Sequence, residues 1–245
     1  MNTSDKTQFG YEEVSVAEKS KRVDDVFNNC ADVYDKMNDT MSFGIHRFWK
    51  KQAVCALDCH TSDTIADIAC GTGDISKLIL PHIPEGKLYC IDPNQSMLEK
   101  CCERLGHIDK VSFIQTAAEQ LVMPEKLDKV IISFGLRNFS DPNLGLKNIY
   151  DNMSVGGKIV IMEFNPPEST VFKNQYALYL KHMLPCLGKY IGQDEASYQY
   201  LADSIAVQPA PKARLNQLKQ AGFEFLKHTP MTMGVVGLFE GYRCR

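Results

Sequence analysis

The sequence predicts a doubly wound α/β domain with a mainly parallel sheet, and three observations carry that expectation. Short apolar runs of strand length occur at Thr64–Ile68, Lys87–Ile91, Val111–Gln115, Val130–Ser133 and Lys158–Glu163. Segments with helical spacing, Ile75–Leu80, Gln95–Leu105 and Asn143–Met153, lie between several of them. Strands alternating with helices build parallel sheets through crossover units. Third, Gly71 and Gly73 follow the first strand directly, where the loops of such a fold form its ligand site.

Taken in order, the first ten residues are polar and have neither the apolar stretch of a signal peptide nor the arginines of a transit peptide. Val23, Phe27, Cys30 or Ala31, and Tyr34 make a helical stripe that leads to Met37-Asn38-Asp39. The helix after the fourth strand is punctuated by Asp141 as N-cap, Pro142 at its first position and Gly156-Gly157 after its end. Beyond the fifth strand, Pro166-Pro167 open a helical insertion in which Phe172, Tyr176, Leu180 and Leu184 recur four apart. Gly188 and Gly192 separate it from Tyr198, Leu201 and Ile205. Pro209 and Pro211 precede a helix ending at Gly222, and Phe223–Thr229 with Val235–Arg243 reads as a terminal strand pair. One domain over residues 1–245 is expected: a helical cap (1–60), a binding core (61–165), the insertion (166–215), and a last helix with two strands (216–245). The first and third of these parts are expected to cap the open edge of the sheet together.

Hydrophobic residues at 44 % and charged residues at 23 % are ordinary for a globular chain, and a net charge of −3 argues against a nucleic-acid partner. No apolar run approaches the ~20 residues that span a bilayer, so a cytoplasmic place is expected. Nine cysteines make an odd number for a disulfide framework. Cys55, Cys59 and His60 look like half a metal site, but no second pair with ligand spacing follows and no metal is expected. Cys101 and Cys102 share a stripe with Met97, Leu98 and Leu105 and read as helix packing.

The run Asp67-Ile68-Ala69-Cys70-Gly71-Thr72-Gly73-Asp74 is the strongest local signal. Glycines there let the backbone turn tightly and approach a ligand. A nicotinamide-binding loop would place a third glycine where Ser76 stands, with the next helix receiving a pyrophosphate. Asp74, an anion, is a poor host for phosphates, whereas a cationic sulfonium meets no such objection. Asp92 closes the second strand about twenty residues on, where an acid accepts hydrogen bonds from both ribose hydroxyls. Its alternative role is to cap the helix that begins near Asn94.

Together these segments resemble the ubiquinone/menaquinone biosynthesis C-methyltransferases, over nearly the whole chain. The resemblance is carried by Phe9-Gly10-Tyr11, Tyr34-Asp35-Lys36-Met37-Asn38-Asp39, Met41-Ser42-Phe43-Gly44-Ile45-His46-Arg47 with Trp49, and the Gly71-Thr72-Gly73-Asp74 loop. Most diagnostic is Ser133-Phe134-Gly135-Leu136-Arg137-Asn138, followed by Gly156-Gly157 and Glu163-Phe164. The resemblance implies a seven-stranded class I methyltransferase sheet with an antiparallel strand in its last pair, S-adenosyl-L-methionine as cofactor and a prenylated quinol as acceptor. It implies that Thr72, Asp92, Ala117, Ala118 and Ser133 line the cofactor, beside Asp67, Gly71 and Gly73 of the loop. Relatives often place Asn or Asp where this chain has Ala117, so contact with adenine there falls to backbone groups, the Ala118 amide first.

The acceptor is an aromatic carbon, a poor nucleophile until a neighbouring phenol of pKa ~10 loses its proton. Arg137, beyond the fourth strand, cannot be the base but can stabilise the phenolate; its alternative is an ion pair with Glu163 or Asp35. Asn138 is a substrate contact or a turn residue, and Tyr34 touches the acceptor ring or packs in the cap. His46 is a proton acceptor by type, or a residue that fixes the cap. Glu163, at the end of the fifth strand, is a second candidate base. An apolar groove for the tail is expected from Phe172, Tyr176, Leu180, Met183 and Leu184, with ordinary packing on the sheet as the alternative. Transient contact with a membrane or a quinone-biosynthesis complex is expected through the same insertion, helped by Lys173, Lys181 and Lys189, at the periphery of the inner membrane. A homodimer is the oligomeric form to be tested.

Overall fold

The computed structural model describes residues 6–167, 175–183 and 195–245. The chain opens with a hairpin, β1 (Lys6–Phe9) and β2 (Glu12–Ser15), then α1 (Val16–Cys30), α2 (Tyr34–Met41) and α3 (His46–Leu57). The core follows as β3 (Thr64–Ile68), α4 (Asp74–Ile79), β4 (Lys87–Ile91), α5 (Gln95–Leu105), β5 (Val111–Ile114), β6 (Leu127–Ser133), α6 (Pro142–Asn152) and β7 (Met153–Phe164). A π-helical turn (Tyr179–Met183), α7 (Glu195–Ala206), α8 (Pro211–Ala221), β8 (Glu224–Met231) and β9 (Val236–Tyr242) complete it.

Seven strands form one sheet in the order β5-β4-β3-β6-β7-β9-β8. β3, β4, β5, β6 and β7 pair in parallel, whereas β9 runs antiparallel to both β7 and β8. The strand order reverses between β3 and β6, and in doubly wound sheets that switch point opens a crevice at the carboxyl ends of the strands. Every residue of β3 is buried because helices cover both faces, which is why its sequence does not alternate. Ile65, Leu88, Ile131 and Val160 pack with Trp49, Leu57 and Ile79 on one face. Their neighbours Ala66, Tyr89, Ile132 and Ile161 pack with Leu146, Ile149 and Leu218 on the other.

Two readings of the sequence change. The hairpin was not expected; Gly10, with φ +58°, makes its turn, and a Cβ there would meet Asp203 Cβ at 2.9 Å. Gly156-Gly157 come after the end of α6 but do not cap it; they lie inside β7. A Cβ on Gly157 would sit 3.0 Å from the Asp128 carbonyl of β6, beside the register shift between Leu127 and Lys129, so the pair serves a bulge.

The cap is built from both ends of the chain. Cys30, Ala31 and Met37 from the first helices pack with Leu180, Tyr198, Leu201 and Ile205 from the later segment, around Met97 of α5. Tyr179 donates its hydroxyl to the Met41 carbonyl at 2.6 Å. Phe172, Lys173, Leu184, Lys189 and the Met183 side chain lie outside the described residues.

Candidate functional site

Two cavities meet at the switch point. The larger, about 810 Å³, is bordered by Gly71, Asp92, Ala117, Ala118 and Asn138. The smaller, about 110 Å³, is bordered by His46, Trp49, Asp67, Arg137, Phe164 and Tyr176. Tyr34, Ala69, Gly71, Ser133 and Phe134 border both and form the wall between them. Ala69 and Phe134 both hold φ +56°, a left-handed backbone that non-glycine residues rarely adopt. A Cβ on Gly135 would lie 2.5 Å from Ala69 Cβ, so the ends of β3 and β6 are pressed together at this wall. Strain of this kind persists where surrounding structure fixes it, commonly at binding sites.

Asp92 is buried, with Oδ2 accepting from the Gly71 amide at 2.8 Å and Oδ1 from the Asn94 amide at 2.9 Å. It therefore ties the glycine loop to the start of α5 while bordering the larger cavity. The helix cap itself is Asn94, whose side chain accepts from the Met97 amide at 2.8 Å. Burial pushes the Asp92 carboxyl up to about 6, against the two amide bonds that favour its charge. Ala118 opens a 3₁₀ turn, Ala118–Gln120, and the first N–H groups of a helical turn have no acceptor inside it.

The glycine loop divides its work. Gly71 has φ +55°, and a Cβ there would meet only Tyr34, at 3.8 Å. Gly73 borders neither cavity; a Cβ on it would fall 2.6 Å from Cys101 Sγ, so it serves the close approach of α5. Thr72 borders the smaller cavity and donates its hydroxyl to Asp35 Oδ1 at 2.8 Å. Asp67 is buried beside the same cavity, with Oδ2 accepting from Ser76 at 2.6 Å and burial pushing its carboxyl up to about 8.

Asp74 does not stand as a lone anion. It is paired with Lys50 at 2.8 Å and with Arg104, and Arg104 also binds Asp35. Phosphate is therefore not repelled by Asp74. What occupies the loop is the cap: Tyr34 lies over Gly71, and Asp35 is bonded to Thr72. The chain Thr72–Asp35–Arg104–Asp74–Lys50 clamps α2, α3 and α5 onto the glycine loop. Lys50 and Arg104 carried no sequence signal of this, whereas Asp35 lies inside the Tyr34–Asp39 motif.

Arg137 pairs with Glu163, not Asp35: its Nη1 lies 3.1 Å from Oε1, its amide donates to Oε2 at 3.2 Å, and Nη1 also reaches the Phe134 carbonyl. Both side chains are buried, at 5 % and 0 % exposure. Glu163 further accepts from the Phe164 amide at 3.0 Å, so both its oxygens are engaged. Arg137 borders the smaller cavity in front of it. The Asn138 side-chain Oδ1 accepts from the Tyr200 hydroxyl at 2.9 Å, and the Tyr200 ring stacks on Phe9 at 4.3 Å; the Phe9-Gly10-Tyr11 motif thus acts on the site at second hand. Burial pushes the Tyr34 phenol up to about 12, against the pull of the Arg137 charge, so it keeps its proton at neutral pH.

His46 is buried with Nε2 2.8 Å from Asp39 Oδ1, and Arg47 Nε donates to the same oxygen at 2.8 Å. Those contacts hold the Asp39 carboxyl down at about 2, Arg47 more than His46. An ionised carboxylate fixes the proton on Nε2 and leaves the lone pair on Nδ1.

Among the described residues, His46 Nδ1, Asp67 Oδ1, Ser133 Oγ and Arg137 Nε are buried side-chain atoms with no hydrogen-bond partner. All four belong to residues that border the smaller cavity. Buried polar groups are paired in the great majority of cases, so this concentration marks a place built for polar ligand atoms. Among the described residues, no group of His, Cys, Asp and Glu is placed to hold a metal ion.

Comparison with known proteins agrees with this arrangement. The ubiE/COQ5 methyltransferase family model matches residues 15–243. The ubiquinone/menaquinone biosynthesis C-methyltransferase UbiE of Coxiella burnetii is 39 % identical over 99 % of this chain and 100 % of its own length. A SAM-dependent methyltransferase from Thermotoga maritima has the same fold, with TM-score 0.62 at 16 % identity over 89 % of this chain and 99 % of that one. Human N-acetylserotonin methyltransferase, solved in complex with SAM, gives TM-score 0.58 at 15 % identity over 87 % of this chain and 58 % of that one. With a family match across the crevice, the cap and the terminal strands, the chain is a methyltransferase that belongs to the ubiE/COQ5 family.

Proposed function

We propose that this enzyme methylates a ring carbon of a prenylated quinol in respiratory quinone biosynthesis, with S-adenosylmethionine as donor. The concentration of unpartnered polar atoms around the smaller cavity, next to a larger cavity that holds Asp92, is the observation that carries it. The donor fits the residues present. Asp92 would take the ribose hydroxyls, Ala117 and the Ala118 amide the adenine, and Asp67 Oδ1 with Ser133 the aminoacyl end. Bound there, the sulfonium supplies an electrophilic methyl group.

The chain's own residues then have to make a ring carbon nucleophilic. His46 Nδ1 takes the phenol proton, and the Arg137 guanidinium, held from behind by Glu163, stabilises the phenolate; after the carbon is methylated, its ring proton is lost to the phenol oxygen, which restores the aromatic ring and leaves one proton on His46 to be released. Tyr34, in the wall between the cavities, fixes the ring against the glycine loop. Phe134 and Phe164, stacked at 4.5 Å, with Trp49 edge-on to both, keep water from the reacting atoms. The tail has a path: Tyr176, Leu180 and Ile205 border both the smaller cavity and a groove of about 490 Å³ walled by Tyr11, Pro166 and Ala202. No helix among the described residues is long and apolar enough to cross a membrane.

Binding calorimetry tests the cofactor half. S-adenosylmethionine and its demethylated product should bind and NAD should not, with Asp92→Ala weakening the former by roughly 1–3 kcal/mol. Binding of NAD, or unchanged donor affinity in Asp92→Ala, would overturn it.

A further inference from the structure

Large apolar side chains that stand exposed are not scattered evenly over this molecule. Of the ten among the described residues, Phe43, Ile45, Phe48, Leu178 and Met233 lie within two positions of a residue that borders the smaller cavity: Ser42, His46, Trp49, Tyr179 and Val235. They come from three separate segments that the cap brings together. Tyr179 is bonded to the Met41 carbonyl at 2.6 Å, and Trp49 Nε1 donates to Thr232 Oγ1 at 2.8 Å. Phe43 is 80 % exposed and Met233 68 % exposed. Both sit at positive φ, +50° and +54°, a backbone that non-glycine residues rarely adopt.

Charge completes the pattern. The chain carries 30 acidic residues, yet residues 41–51, 175–183 and 229–235 contain none, while they contain Arg47, Lys50, Lys51 and Lys181. Lys50 is spent on Asp74 and Arg47 on Asp39. Lys51 and Lys181 are exposed. A net charge of −3 leaves the rest of the chain acidic by contrast. Apolar side chains flanked by exposed lysines, with the neighbouring Asp39 and Asp74 already paired with Arg47 and Lys50, match the interfacial zone of a bilayer: the apolar groups enter the acyl boundary and the cations meet anionic headgroups.

We propose that this rim, centred on Phe43, Phe48 and Met233, is a docking surface for an anionic lipid bilayer, seating the mouth of the acceptor cavity against the membrane. The surface rests on the quinol reading for its purpose but not for its existence. It also differs from the expectation that residues 166–215 would make the contact: Leu178 and Lys181 belong to the rim, whereas Tyr176 and Leu180 face the cavity.

The test is flotation of the full chain with phosphatidylcholine vesicles, with and without phosphatidylglycerol, beside a Phe43→Ser, Phe48→Ser, Met233→Ser variant whose donor binding is checked by calorimetry. The parent should float with the anionic vesicles and be released by salt, and the variant should bind about tenfold more weakly. The variant should also lose about tenfold in turnover on long-tailed quinol held in vesicles while keeping its turnover on a tail-less quinol in solution. Equal flotation of parent and variant overturns the proposal, as does flotation only when membrane proteins are supplied. If the parent floats as expected but methylates no quinol at all, the docking surface stands and the proposed acceptor falls.

Discussion

Asp39 and His46 are joined across 2.8 Å by one carboxylate oxygen and Nε2, and that contact leaves Nδ1 of the buried ring as its only free basic atom. His46→Gln should therefore lower turnover by ~10²-fold or more with donor affinity intact, and Asp39→Asn by a smaller factor, because it loosens the ring without removing it. Burial holds the imidazole below its ordinary 6.5, opposed by Asp39 and reinforced by Lys50, with Asp74 also facing it. The base must be neutral, so turnover should rise with pH through that lowered value and be flat near pH 7. Loss of the Asp39 charge should move the rising limb lower still. Full turnover in His46→Gln would remove this residue from the chemistry.

Donor binding should have its own pH dependence. Burial pushes the Asp92 carboxyl up to about 6, against its two amide partners. Ribose hydroxyls donate only usefully to the charged form, so occupancy should hold the carboxyl lower. Affinity should then be constant above about pH 6.5 and fall as pH drops through 6. The sign for stability is opposite: a folded-state value raised from 3.8 means that ionised Asp92 costs stability at neutral pH, and this cost shrinks as pH falls through the folded value and is gone only below 3.8. Calorimetry across pH 5–8 checks the first, and Asp92→Asn, with a flat profile, is the control.

Arg137 and Glu163 are expected to separate by what they damage. Removing one partner of a buried ion pair leaves the other uncompensated, at ~3–5 kcal/mol, so Arg137→Ala and Glu163→Ala should both lower the melting temperature. Arg137→Lys keeps a charge at the cavity but loses the planar fork, and should lower turnover by ~10-fold or more at modest cost in stability. A melting temperature that falls while turnover per folded molecule stays level in Arg137→Lys would make the pair purely structural.

The clamp across the glycine loop is partly exposed, with Arg104 at 28 % and Asp35 at 43 %, so its worth is modest. Arg104→Leu should cost about 1 kcal/mol and lower the melting temperature by about 2–4 °C, with faster proteolysis of the first helices. Lys100→Ala, on the same helix as Arg104, removes surface pairs with Asp32 and Glu103 and should change neither.

The core was legible because its elements obey local rules. β3 and β4 begin and end where their apolar runs do, and α5 spans the Gln95–Leu105 segment that its spacing outlines. The place of Asp92 beside the larger cavity was legible from its distance to the glycines. The rest was not, because it depends on partners far apart in sequence. Gly73 looks like a ligand glycine until α5 is seen against it. Asp74 looks like a free anion until Lys50 and Arg104 arrive from two other helices. Glu163 has the right place for a base, but Arg137 and its own neighbour's amide occupy both oxygens. The first hairpin is too short for a period to show, and its one cue is Gly10.

Product analysis bears most directly on the proposed reaction. The full chain is incubated with methyl-labelled S-adenosylmethionine and, separately, with the demethylated precursors of ubiquinol and menaquinol, and the labelled products are located by NMR. The expected result is a new methyl on a ring carbon in at least one of the two, lost in His46→Gln and Arg137→Ala. Label on a quinol oxygen, or transfer to neither precursor by protein that binds the donor, would contradict the assignment.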